Sequence, residues 1–150
     1  MTNTKADTTP VVGINHVALE VGDIEEALAF YGSFLDFELR GKSETMAFID
    51  MGDQFLALTK VDEQPRDAHR HFGLVVADKA LVERRVKEMG VDIVSDRFLD
   101  FRDPWGNRIE IVGYENIQFS KTDSVLSGMK LGHLEKIDSA KQELAEKGLA

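Results

Sequence analysis

Hydrophobic positions along the chain change period in a fixed order, and that order occurs twice. Ile14 to Val21 is dense in β-branched and apolar residues and predicts a buried strand. Asp23 is placed to cap a helix, and Ile24, Leu28, Tyr31 and Leu35 then recur at helical spacing, so roughly 24–35 predicts an amphipathic helix. Three strand-like runs follow at 36–41, 45–51 and 54–61, divided by Gly41 and by Gly52-Asp53. The polar, proline-containing stretch 62–68 reads as a linker. The pattern then restarts with a strand at 71–77, a second cap at Asp78, and a helix through Leu81, Val82, Val86 and Met89 that Gly90 stops. Runs near 91–95, 97–102 and 107–113 predict three more strands, the last two separated by the turn Asp103-Pro104-Trp105-Gly106-Asn107.

Subtraction exposes the repeat. His16 and His71 are 55 apart, and at that offset Val17, Leu19, Val21 and Asp23 meet Phe72, Leu74, Val76 and Asp78. Further on the offset becomes 53, which matches Phe48 to Phe101, Asp50 to Asp103, Leu56 to Ile109 and Leu58 to Ile111. Side chains alternate along a strand, so parity assigns faces. Val17, Leu19 and Val21 point toward the helix; His16, Ala18 and Glu20 point away. In the second copy His71, Gly73 and Val75 point away from the helix, as do Arg108, Glu110 and Val112 of the last strand. Both histidines and Glu110 thus fall on non-helix faces, where the small residues Ala18 and Gly73 leave room.

The chain divides into a disordered tail (1–11), a first βαβββ module (12–61), the linker (62–68), a second module (69–114) and a helical C-terminal extension (115–150). In the extension, Asp123 is placed to cap a short helix, and Ser139 with Gln142 forms a capping-box pattern for another that Gly148 ends. Its apolar residues predict docking on the domain or on a partner subunit, with a lid over the site as the sharper alternative.

The 150 residues are 43% apolar and 30% charged, the balance of an ordinary globular protein. A net charge of −9 without a basic cluster argues against nucleic-acid binding. With no cysteine there is neither a disulfide framework nor a thiolate site, which fits a reducing cytoplasm. No apolar run approaches the roughly 20 residues that span a bilayer.

The two His-opening strands, the helix carrying Phe30-Tyr31 and the run Asp103-Pro104-Trp105-Gly106-Asn107-Arg108-Ile109-Glu110 resemble the vicinal oxygen chelate superfamily, which includes glyoxalase I, extradiol dioxygenases, fosfomycin-resistance proteins and bleomycin-binding proteins. The resemblance covers residues 12–114. It implies an α+β fold in which two βαβββ modules form a curved mixed sheet around a cleft, with ligands from the first and fourth strands of each module. Those positions are His16, Ala57, His71 and Glu110. Alanine binds no metal, so the resemblance implies a site of two histidines and one carboxylate for one divalent ion (Mn, Fe, Zn, Ni or Co) with open positions for substrate. His69 shares the parity of His71 and is an alternative ligand. Arg108 and Arg102 are alternative partners for Glu110. Glu20 and Thr59 lie on the ligand faces as candidates for a general base or substrate contact, and Phe48, Phe55 and Trp105 as candidate pocket lining. Tyr31 is expected under the sheet, and His133 has no assigned role.

The resemblance implies a metal-dependent lyase, isomerase or transferase acting on a small oxygen-rich molecule that chelates the metal, with a homodimer as the default assembly. An extradiol dioxygenase fits the ligand set but not Asp100, where the oxygenases carry tyrosine, nor Val91 to Ser95, which contain no histidine. Fosfomycin-type transferases usually carry threonine where this chain has Ala18. A metal-free, bleomycin-binding-like protein is the third reading.

Overall fold

The computed structural model describes residues 14–95 and 97–150; the tail expected over 1–11 lies outside them. The first module comprises β1 (His16–Val21), α1 (Ile24–Gly32), β2 (Leu39–Lys42), β3 (Met46–Asp50) and β4 (Phe55–Lys60). The second comprises β5 (Phe72–Val76), α2 (Lys79–Met89), β6 (Asp92–Ser95), β7 (Asp100–Arg102) and β8 (Arg108–Gly113). A short 3-10 turn (Tyr114–Asn116), α3 (Asp123–Gly128) and α4 (Asp138–Glu146) follow. Each module folds into its own four-stranded mixed sheet, ordered β1-β4-β3-β2 and β5-β8-β7-β6. The α+β architecture of paired βαβββ modules with a helical extension is the one expected. In both sheets the first strand lies parallel to the fourth and forms an edge.

Local chemistry sets the helix starts. The Asp23 carboxylate accepts the Glu26 amide at 2.9 Å, and Asp78 accepts that of Leu81 at 3.0 Å. Gly90 ends α2 at φ 66°, a left-handed position that favours glycine. Gly41 is not the turn expected from sequence. It pairs with Phe48 inside β2, and the turn falls at Ser43, whose hydroxyl accepts the amides of Thr45 and Met46.

Strand register corrects part of the repeat. Ala18 lies beside Ala57 and Gly73 beside Glu110, as the offsets of 55 and 53 require. In the neighbouring strands, however, Phe48 pairs with Ala57 while Asp100 pairs with Glu110. Phe48 therefore corresponds to Asp100 and Ile49 to Phe101, so the expected matches of Phe48 to Phe101 and Asp50 to Asp103 are out by one. The β7–β8 turn is one residue longer than the β3–β4 turn. Asp100, not Phe101, thus stands beside Glu110.

One core joins both modules on their helix sides. Val21, Ala27, Tyr31, Leu58, Val86, Phe101, Ile109 and Ile111 are fully buried, and each large apolar side chain removed from water stabilises the fold by about 1.5–3 kcal/mol. The Phe34 ring meets the Phe101 ring edge-on at 5.5 Å, bringing the segment just past α1 of the first module onto the second sheet.

A buried polar junction sits beside this contact. The Asp103 carboxylate is 3% exposed and accepts the Tyr31 hydroxyl at 2.7 Å, the Asn107 side-chain amide at 2.8 Å, and the backbone amides of Trp105 and Asn107 at 3.0 and 2.9 Å. The same Asn107 amide nitrogen donates to the Glu20 carbonyl at 2.8 Å. Trp105 packs on Gly22, where a Cβ would lie 2.4 Å from the indole nitrogen. The aromatic expected as pocket lining therefore serves the joint between modules.

The extension docks on its own chain. The Lys121 ammonium donates to the Met51 carbonyl at 2.8 Å and pairs with Asp53. Met129 covers Gly52, whose φ of 85° and lack of a Cβ permit the approach. The Lys136 ammonium donates to the carbonyls of Tyr114, Ile117 and Phe119 over the face of the Tyr114 ring. The caps differ from expectation. Thr122, not Asp123, caps α3, and α4 starts at Asp138 behind Ile137, which places Ser139 inside the first turn.

Burial pushes the Tyr31 hydroxyl well above the ordinary tyrosine range, and the Asp103 charge and hydrogen bond add to this. Tyr31→Phe should lower stability by about 1–2 kcal/mol at neutral pH. Folded Tyr31 keeps its proton while the unfolded tyrosine loses it above about pH 10, so the gap between wild type and variant should shrink as pH rises past that point. Urea unfolding at pH 7 and above pH 10 measures both effects.

Candidate functional site

The faces turned away from the helices are the accessible ones, as strand parity requires. His16, Ala18 and Glu20 are exposed on β1, His71 precedes the exposed Gly73 of β5, and Glu110 is half-buried on β8. Nothing lies within 4 Å of a Cβ built on Gly73, so the space over its cross-strand neighbour Glu110 is open.

His71 and Glu110 come together. The His71 Nε2 lies 3.6 Å from Oε2 of Glu110. Its Nδ1 is 2.8 Å from the backbone carbonyl of His69. A carbonyl only accepts, so Nδ1 carries a proton and Nε2 is the ring nitrogen turned toward the carboxylate. With Nε2 free of a proton, the imidazole and the carboxylate both present lone pairs, as metal ligands do. Donors each about 2.1 Å from a metal, at octahedral to tetrahedral angles, lie roughly 3.0–3.4 Å apart. The observed 3.6 Å is slightly wider than this, so a shared ion would draw the two groups together, and the carbonyl bond is the kind of outer contact that orients a ligating histidine. His69 enters the pair through its backbone.

His16 is held in a similar way on the other sheet. Its Nδ1 lies 2.9 Å from Oδ1 of Asn15, leaving Nε2 outward, and its ring stacks on Phe55 at 4.6 Å and 7°. His16 does not join the pair within one chain: among the described residues, no group of three or more His, Asp or Glu side chains is placed to hold a metal ion. Ala57 is buried beside Ala18 and adds no ligand.

The alternative partners of Glu110 are engaged elsewhere. Arg108 binds Asp100 through Nε, at 2.9 and 3.0 Å to the two oxygens, and through Nη2, and reaches the Ala68 carbonyl. The Asp100 bond raises the arginine pKa still further. Arg102 joins Asp92 and the Asp67 carbonyl. Asp100 has no signal in the sequence as a neighbour of Glu110, because its placement depends on the longer β7–β8 turn. A cleft of about 530 Å³ runs between β1 and β5, and Ala18, Glu20, Asp67, Arg70, His71 and Asn107 line it. Glu20 and His71, from different modules, thus open onto one space. Thr59 lies beside Glu20.

The model of the glyoxalase/bleomycin resistance protein/dioxygenase superfamily matches residues 13–111, and the chain belongs to that superfamily. It is similar to the metallothiol transferase FosB of Staphylococcus haemolyticus (strain JCSC1435), with 29% identity over 99 residues covering 62% of this chain and 71% of that one. It is similar also to the glutathione transferase FosA of Serratia marcescens, with 24% identity over 110 residues covering 65% and 78%. In fold it resembles the fosfomycin resistance protein FosX from Listeria monocytogenes complexed with Mn(II) and a sulfate ion, with a TM-score of 0.60 at 16% identity over 80% of this chain and 99% of that one. Among the described residues, no helix is long and apolar enough to cross a membrane.

Gly73→Val tests whether the open space over Glu110 serves a ligand. The strand accepts a β-branched residue and no atom opposes it, so the melting temperature should be unchanged or higher. Binding of Mn(II), followed by the loss of its free-ion electron paramagnetic resonance signal, should weaken at least tenfold. Unchanged Mn(II) binding would show that this space is not the metal's.

Proposed function

We propose that the protein is a divalent-metal-dependent enzyme of the glyoxalase type, a lyase, isomerase or transferase acting on a small oxygen-rich molecule whose oxygens chelate the metal. The observation that carries this reading is the His71–Glu110 pair, 3.6 Å apart on an open surface, with the histidine ring oriented by the His69 carbonyl at Nδ1. His71, Glu110 and His16 would hold the ion, with His16 supplied by a second copy of the chain. Two features favour that assembly: β1 and β5 are both sheet edges with unpaired backbone groups, and His16 lies outside the His71–Glu110 pair of its own chain. When bound, the ion supplies Lewis-acid stabilisation of a developing oxyanion.

The chain's own groups have separable tasks. His71 and Glu110 fix the place where substrate oxygens converge. Glu20, in the cleft with His71, is the carboxylate available to accept a proton from the substrate. Phe48 and Phe55 shield the His16 side of the face from water. The named relatives favour transfer chemistry within this class, although Ala18 departs from the threonine usual in fosfomycin-type transferases. Asp100, tied to Arg108 in place of a tyrosine, counts against ring-cleaving oxygenation. Retention of all three donors counts against a metal-free binding protein. The cytoplasm is the proposed setting, which a cysteine-free sequence suits.

Metal analysis of the purified protein, dialysed and reloaded with Mn, Fe, Zn, Ni or Co, tests the reading. Wild type should retain one divalent ion per site, and His16→Ala and Glu110→Ala should each lose it while keeping wild-type far-ultraviolet circular dichroism. A wild type that no divalent ion loads would refute the proposal.

A further inference from the structure

We propose that Arg40, stacked over Phe55, is the subsite for a carboxylate carried by the substrate, an inference that rests on the metal-dependent reading of the face. Arg40 belongs to the outer strand β2, at a bulge between Leu39 and Gly41 that leaves it without a cross-strand partner. Bulges redirect side chains. Here the side chain crosses over β3, and its guanidinium carbon stands 4.6 Å from the centre of the Phe55 ring on β4. That ring is the one that stacks on His16, also at 4.6 Å, and meets Phe48 edge-on at 5.9 Å. A cation, an aromatic platform and a candidate metal ligand therefore stand in sequence across one exposed sheet face.

The guanidinium is available. Arg40 is exposed, and no carboxylate lies within ion-pair distance of it among the described residues, in a chain with 27 acidic and 18 basic residues. Other cations on these strands are engaged: Lys42 pairs with Glu25 of α1, Arg102 with Asp92 and Arg108 with Asp100. Asp50, on the neighbouring strand β3, accepts the Gly52 amide at 2.8 Å. The stack holds the guanidinium plane in place, so its paired N–H groups can grip a carboxylate bidentately at little entropic cost. Phe48 and the edge of Phe55 would pack against an apolar or planar body between the carboxylate and the metal-bound oxygens. The substrate class is thus a small carboxylate with vicinal oxygens at its other end.

The test uses the full chain, with benzoate as probe and benzamide as its neutral isostere. Titration is followed by calorimetry and by the side-chain Nε–H resonance of Arg40. Benzoate should bind saturably and shift that resonance, Arg40→Gln should weaken binding at least tenfold, and benzamide should bind at least tenfold more weakly than benzoate. Mn(II) titration of the same samples separates the two claims, since Arg40→Gln should bind Mn(II) as wild type does. Arg40-dependent benzoate binding in a protein that takes no Mn(II) would sink the metal reading and leave the subsite standing. Equal benzoate binding by wild type and Arg40→Gln, equal binding of benzamide, or no benzoate binding would overturn the subsite.

Discussion

The Asp103 carboxylate ties together elements that the chain makes far apart. It is removed from water, and a buried carboxylate is tolerated only where hydrogen bonds replace its hydration. Four donors do so, and each fixes something different. The Trp105 and Asn107 amides shape the turn that leads into β8 and sets the position of Glu110. The Tyr31 hydroxyl holds the first module's helix against the second sheet. Asn107 passes the contact on to the Glu20 carbonyl at the end of β1. One charge thus constrains both strands whose outer faces carry the candidate chemistry.

That constraint explains why the two sheets face as they do. With the helix sides joined in a single core, the opposite faces stay open and the small residues Ala18 and Gly73 are spared from packing. The faces differ in character. The second carries the His71–Glu110 pair beside an internally balanced Arg108–Asp100 pair, whereas the first carries the His16–Phe55–Arg40 stack. Among the described residues neither face holds a full metal site in one chain, and each has an unpaired edge strand beside it. The extension braces the β3–β4 turn through Lys121 and Met129, which supports the strands bearing Phe48 and Phe55.

Much of this was legible in the sequence because strand parity is strict. Alternation alone placed Leu19 and Val21 inside and His16 and Glu20 outside, and the offset of 55 aligned β1 with β5. What could not be read were quantities set by backbone detail. The one-residue difference between the β3–β4 and β7–β8 turns moved Asp100 beside Glu110. The choice of His71 over His69 depends on which residue gives a side chain and which a carbonyl. Asp103 was readable as a turn residue, yet its bond to Tyr31, 72 positions away, has no local signature. Trp105 looked like pocket lining because nothing in the sequence identifies Gly22 as its seat.

In the proposed shared site, His71 and Glu110 of one chain meet His16 of another around a metal. The most direct measurement uses hybrids of His16→Ala and Glu110→Ala chains, refolded together, separated by two affinity tags and analysed for bound metal. In a shared site, a hybrid dimer has one complete ligand set, with His16 from the Glu110→Ala chain and His71 with Glu110 from the other. A shared site predicts one divalent ion per hybrid dimer and none in either parent. Hybrids that form but stay as metal-free as their parents would contradict it.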